Sequence, residues 1–208
     1  MLADHSVRDL LAAFSSPAPT PGGGSASALA SAIGASLLLM VAALPRTRSG
    51  SEDDRTALAS AGAALAGLRD QLTGAIDGDA AAYDQVVAAY KLPKASSEEQ
   101  LARTAAIQRA LVAATNVPLG VMRLSSSALE RAATIAAHGH RAAVSDVGVA
   151  VALLRAGLQG AGLNIEINVS SVTDAAYAEA AKAEAARLSE RAGKAADAAE
   201  ASLRSTLG

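Results

Sequence analysis

Residues 55–91, RTALASAGAALAGLRDQLTGAIDGDAAAYDQVVAAYK, decide the fold. Leu58, Ala61, Leu65, Leu68, Leu72, Ile76, Asp79, Tyr83, Val86 and Tyr90 follow one another at steps of three and four, the spacing of a single helical face. A helix this long needs apolar partners of similar length, and the flanking sequence offers them. Pro93 stops the helix. Ser97 with Gln100 forms a capping-box pattern for a second helix over 98–117, with Leu101, Ala105, Gln108, Leu111 and Thr115 facing inward. Pro118 either starts a third or kinks a continuing one, which runs to about Ala137 before Gly139.

Upstream, residues 4–14 read as a short helix, and 15–24, with three prolines and three glycines, as a loop. Ser25–Leu44 carries no charge and reads as a buried helix; Pro45–Asp54 reads as an exposed connection. Ser145 is a plausible N-cap for a helix over 146–172, apolar on most faces. The last helix, 174–203, is mostly Ala and charged residues, and 172–208 is expected as an outer element that lies outside the bundle or frays. The expectation is one all-α domain over 1–208, an orthogonal or up-down bundle of about six to eight helices with long central ones. Segments 25–44 and 146–172 are apolar around most of their circumference, and a single chain of this size has few helices to cover both. That predicts a homodimer on a two-fold axis.

Composition agrees. Hydrophobic residues make up 51% and aromatics 2%, with one Phe and no Trp, so the core uses small helix-favouring side chains. A net charge of −2 gives no electrostatic footprint for nucleic acid. The chain has no Cys, which excludes disulfides and thiolate sites within it and fits a reducing, cytoplasmic setting. Ser25–Leu44 is long enough to span a bilayer, but its first half is Ser, Ala and Gly and it lacks basic and aromatic flanks, so we expect no membrane partner. Asp4 and Asp9 precede it, unlike a secretory signal.

Asp79 interrupts the apolar stripe at an interior position. A buried carboxyl needs donors or an Arg, or else holds its proton more tightly, as a general acid or base near neutral pH would. The structural alternative is a bond to a neighbouring helix. Gly22, Gly23, Gly24 and Ser25 lead into a helix whose free N–H groups suit an anion or polar oxygen; the alternative is a flexible turn. Asp146 either complements a helix dipole or lines a pocket with Asp79. Asn164 and Asn168, one turn apart, either bind a ligand or tie helices. His138 and His140 flank Gly139 without nearby acids or Cys, so no metal is expected. Lys91, Lys94 and Arg103 gather around the Pro93 turn, as a solvated basic turn or a contact for an acidic substrate.

Five motifs in order resemble the formimino-tetrahydrofolate cyclodeaminase family: Pro21-Gly22-Gly23-Gly24-Ser25 with Met40-Val41-Ala42; Asp79-Ala80-Ala81-Ala82-Tyr83 followed by Leu92-Pro93-Lys94; Thr115-Asn116-Val117-Pro118-Leu119; Ser145-Asp146-Val147-Gly148-Val149; and Asn164-Ile165-Glu166-Ile167-Asn168. The match runs over about residues 6–190. The resemblance implies a helical homodimer with clefts built on these motifs, and a tetrahydrofolate substrate with no other cofactor. It implies cyclodeamination of formimino-tetrahydrofolate to methenyl-tetrahydrofolate and ammonia or, as the alternative, the cyclohydrolase step on methenyl-tetrahydrofolate. By resemblance Asp79 and Asp146 are the acids and Gly22–Ser25 the glycine loop, with Lys94 and Arg103 as candidates for the glutamate tail. His140 stands where the family usually has Asn, which bears on local substrate contacts, and Leu44-Pro45-Arg46-Thr47-Arg48 replaces a Leu-Thr and Gly-Lys pattern. Animal members fuse this region to a transferase; here the free-standing form is expected. The reading from another class is a non-catalytic helical dimer that binds folate or another partner.

Overall fold

In the computed structural model, which describes residues 1–207, two of the longest helices owe their starts to local caps. Ser51 accepts from the Asp54 N–H at the head of α3 (Glu52–Tyr90). Ser96 and Glu99 form a reciprocal capping box ahead of α4 (Ser97–His138), one residue earlier than the Ser97–Gln100 pattern suggests. The other helices are α1 (Val7–Phe14), α2 (Gly23–Ala42), α5 (Val144–Val169) and α6 (Ala175–Leu207), with 3-10 turns at Leu2–Asp4 and Arg141–Ala143. No strand occurs among the described residues, so the all-α expectation holds, with six α-helices.

α2 and α5 pack side by side and antiparallel. The start of α2 meets the end of α5 at Gly23 and Asn164, while Gly34 meets Ala150 and Leu154. The approach is close because the facing residues are small. A Cβ on Gly157 would lie 2.0 Å from Ser31 Oγ and 2.5 Å from the Ser27 carbonyl, so no side chain fits there. Ser125 joins this buried layer, its Oγ 2.8 Å from Ser31 Oγ and donating to the Val121 carbonyl or sharing its proton between the two. α4 backs both helices, α3 flanks α2, and α6 flanks α4 and α5. Leu38, Leu65, Leu72, Leu129, Ile135, Leu154 and Ile165 fill the centre.

Four local readings are refined. α4 runs unbroken through the buried Pro118. Proline has no N–H, so the Ala114 carbonyl loses its helical donor; Asn168 on α5 replaces it, Nδ2 donating to Ala114 O at 3.0 Å. Tyr177 on α6 donates its hydroxyl nearby, to Val112 O at 3.2 Å or Asn116 Oδ1 at 2.9 Å. The stretches before and after Pro118 are thus one helix, held through its weak turn by two neighbours. Second, Ser145 caps nothing: α5 starts at Val144 behind the 3-10 turn, whose N-cap is His140, accepting from the Ala142 N–H. Third, α6 belongs to the core, burying Ala178, Ala181, Leu188, Ala192, Ala196, Ala199 and Leu203. Fourth, the 45–51 connection, exposed as read at Pro45, Arg46, Ser49 and Gly50, is also anchored. Arg48 donates to Ala136 O at 2.7 Å and Thr206 Oγ1 at 2.9 Å. The buried Asp54 accepts from Ser49 N–H and Oγ–H and lies 2.7 Å from His138 Nδ1. These donors, His138 first, hold the Asp54 carboxyl well below the usual carboxylate range.

Candidate active site

Asp79 faces inward, as its place in the α3 stripe requires, and what it meets is the first turn of α2. The Ser25 N–H donates to Oδ2 at 2.8 Å, and the Ser25 hydroxyl lies 3.1 Å from the same oxygen and 2.8 Å from the Ile76 carbonyl. That first turn carries free N–H groups and the positive end of the helix dipole, a setting that favours a negative partner. Gly24 is what lets the carboxyl in: a Cβ there would lie 2.0 Å from Asp79 Oδ1. The interior register therefore led to a site of donors, with Asp79 half-buried, rather than to an apolar one. Among the described residues Oδ1 has no hydrogen-bond partner, and Asp79 lines a cavity of about 280 Å³.

The cavity lies between the α2 start, the middle of α3, the first half of α4 and the end of α5. Gly22, Gly23, Gly24, Asp79, Asn164 and Asn168 line it, with Thr20, Tyr83, Val86, Leu111 and Ala114 among the remaining walls. Both Asn residues spend their Nδ2 on carbonyls, Asn164 on Gly160 O at 2.8 Å and Asn168 on Ala114 O. Their amide oxygens are left as acceptors. With Asp79 they give the cavity three acceptor groups, while the Gly23 and Gly24 N–H groups at the helix start are candidate donors. Such a lining suits a flat ligand that carries donor groups and positive charge. The apolar walls, Val86, Leu111 and Ala114, suit its ring faces.

Gly22, Gly23, Gly24, Asp79, Asn164 and Asn168 thus come together around this cavity, with Ser25 buried beside it as the carboxyl's donor. Four other candidates lie elsewhere. Asp146 opens α5, and Asn164 follows it by 18 residues on the same straight run, about 27 Å along the axis. Within one chain Asp146 cannot share the cavity with Asp79. His140 is at that far end too, capping its turn. Arg103 donates to the Tyr90 carbonyl and stacks over the Tyr90 ring at 5.6 Å, closing the α3–α4 turn, and Lys94 is exposed beside it. Asp77, off the α3 stripe, accepts from the Leu2 and Ala3 N–H groups. The sequence reading missed Thr20 and Tyr83 as lining residues; Tyr83, one turn beyond Asp79 on the same stripe, carried a signal. Among the described residues no group of three or more His, Cys, Asp or Glu could hold a metal ion.

Comparison with known proteins bears on this cavity. A model of the formiminotransferase-cyclodeaminase family matches residues 6–187. A methenyltetrahydrofolate cyclohydrolase of Methylorubrum extorquens is 37% identical over 179 residues, 86% of each chain. The formimidoyltransferase-cyclodeaminase of Rattus norvegicus is 30% identical over 86% of this chain, which spans 33% of that longer protein. The solved structure of the formiminotetrahydrofolate cyclodeaminase of Thermotoga maritima superposes with a TM-score of 0.88 over 100% of both chains at 24% identity, which shows the shared fold.

Proposed function

We propose a water-adding folate chemistry for this chain, which belongs to the formiminotransferase-cyclodeaminase family and so to a group of folate-processing enzymes: it hydrolyses methenyl-tetrahydrofolate to the formyl form. The observation that carries this reading is the Asp79 carboxyl, which lines an acceptor-rich cavity with one oxygen held by Ser25 and the other without a hydrogen-bond partner among the described residues. Methenyl-tetrahydrofolate is a cationic amidinium. The acceptors on Asp79, Asn164 and Asn168 would stabilise it and the donor edge of its ring. Water adds at the amidinium carbon, a C–O bond forms, and its proton passes to Asp79 Oδ1. Asp79 then returns that proton to the departing ring nitrogen as the C–N bond breaks, while the adduct's own hydroxyl proton leaves to solvent and a formyl group remains. No cofactor besides the folate is needed. The match to the bacterial cyclohydrolase over most of both chains supports this choice.

The second reading is cyclodeamination, favoured by the relatives that carry that name, among them the rat protein, which matches 86% of this chain. There the attacking atom is a folate nitrogen, and the proton it gives up goes to the departing ammonia. One carboxylate can move the proton in either reaction. Incubation of the pure protein with each folate decides between them. Loss of methenyl absorbance without ammonia supports hydrolysis, ammonia release from formimino-tetrahydrofolate supports deamination, and neither would leave a folate-binding module. Lys94 and Arg103, about 16 Å or more along α3 from Asp79, would meet only the distant glutamate end of the substrate. Assembly as a homodimer is part of the proposal.

A further inference from the structure

Pro118 is buried near the middle of α4, where a helix tolerates proline least and alanine would suit it better. The break it makes falls at a particular spot. Ala114, four residues before it, is a wall of the cavity, as are Leu111 on the same helix and Asn164 and Asn168 on α5. A local rule broken at a binding surface points to use there rather than to packing alone.

The two asparagines show what the break does. They stand one turn apart on α5, yet they bond differently. Asn164 turns its Nδ2 back to its own helix, donating to the Gly160 carbonyl at 2.8 Å. The matching choice for Asn168 is the Asn164 carbonyl, four residues earlier. It crosses to α4 instead and donates to Ala114 O at 3.0 Å, a carbonyl left free because Pro118 has no N–H. That bond also fixes which way the amide lies. Turned over, Asn168 would set its oxygen against the Ala114 oxygen, acceptor against acceptor, so the NH2 group must face α4. Oδ1 is the atom left over. It has no partner among the described residues and is reachable by solvent, on a side chain that lines the cavity.

We propose that Pro118 is a positioning residue for the substrate: by withholding an N–H from Ala114 it turns the Asn168 amide so that the cavity meets an acceptor there and reads a ring edge that carries N–H donors. Asn164 holds a second acceptor in the same sense, about 6 Å away along the axis, but through a bond within α5. Only the Asn168 half of the pair depends on α4. A ring offering a bare acceptor at that place would meet Oδ1 with no proton between them and bind less well. The Thr115-Asn116-Val117-Pro118-Leu119 motif thus acts on the site through Asn168. The orientation of the amide follows from the protein alone; that the ring is a folate's rests on the reading above.

The test is steady-state kinetics on methenyl-tetrahydrofolate with Pro118→Ala, Asn168→Ala and the double variant. In Pro118→Ala the restored N–H takes the Ala114 carbonyl, and the Asn168 amide is free to turn. KM should rise about 2–5-fold with kcat unchanged, the scale of one weakened hydrogen bond. In the Asn168→Ala background the same change should leave KM where it was, because the amide through which it acts is gone. A proline that merely shapes α4 would move KM equally in both backgrounds. That result, or an unchanged KM in Pro118→Ala, overturns the proposal. A second readout needs no turnover. The Asn168 side-chain amide protons, identified in NMR spectra by their loss in Asn168→Ala, should exchange with solvent faster in Pro118→Ala than in the wild type; equal exchange also overturns it. If the wild type turns over neither methenyl- nor formimino-tetrahydrofolate, the folate reading fails, and the exchange rates still decide whether Pro118 sets the Asn168 amide.

Discussion

Asn168 and Pro118 should be energetically coupled although they lie on different helices. Pro118 leaves the Ala114 carbonyl without its helical donor, and Asn168 Nδ2 donates to it at 3.0 Å. Asn168→Ala removes that donor. An unsatisfied buried polar group costs about 1–3 kcal/mol; here the lower end applies, about 1 kcal/mol, because Ala114 and Asn168 are half-buried beside the cavity and water can reach the carbonyl. In a Pro118→Ala background the restored N–H bonds to Ala114 O itself, so Asn168→Ala should cost less by about 0.5–1 kcal/mol. Urea unfolding of the four proteins of this cycle, at one fixed concentration, measures the difference. For a chain of this size each kcal/mol moves Tm by about 2–4 °C. An equal cost of Asn168→Ala in both backgrounds would refute the argument that Asn168 is there to replace the proline's missing donor.

Gly24→Ala should cut turnover at least about 100-fold, because its Cβ would lie 2.0 Å from Asp79 Oδ1 and must displace the carboxyl, whereas Gly23→Ala, whose nearest neighbour is 3.8 Å away, should fold and melt like wild type; steady-state rates and melting curves check both. Acid should weaken the clasp of the 45–51 connection. The folded-state pKa of Asp54 is depressed below its unfolded value of 3.8, so its stabilising contribution is complete above that value and is lost as pH falls below it. Asp54→Asn should be less stable at neutral pH and show a shallower loss between pH 4 and 2, followed by denaturant midpoints across that range; parallel curves for the two proteins would contradict the assignment.

The helices were legible where local chemistry decides them. The α3 stripe, the Ser before α4 and the stop at Pro93 are signals within a few residues. Pro118 was ambiguous because its effect depends on Asn168 and Tyr177, distant in sequence and close only once α5 and α6 dock. Ser145 has the chemistry of a cap, but His140 and a 3-10 turn occupy that place in the chain. α6 looked peripheral because Ala gives a weak amphipathic signal, although closely packed Ala residues bury well. Asp79 was visible as an interior carboxyl; that its partner would be the first turn of α2, reached through Gly24, is a tertiary fact. Asp146 belonged with Asp79 by motif order, and the rise of α5 separates them within one chain.

The central claim is that the free oxygen of Asp79 moves the proton in this cavity. Asp79→Asn keeps an acceptor for the Ser25 N–H and nearly the same shape, so the fold should persist. The direct measurement is kcat on methenyl-tetrahydrofolate for this variant, followed by loss of methenyl absorbance, with circular dichroism on the same sample. The account predicts native helicity and a fall of about 100-fold or more, the scale of general acid–base catalysis. A natively folded variant that turns over at the wild-type rate would contradict it.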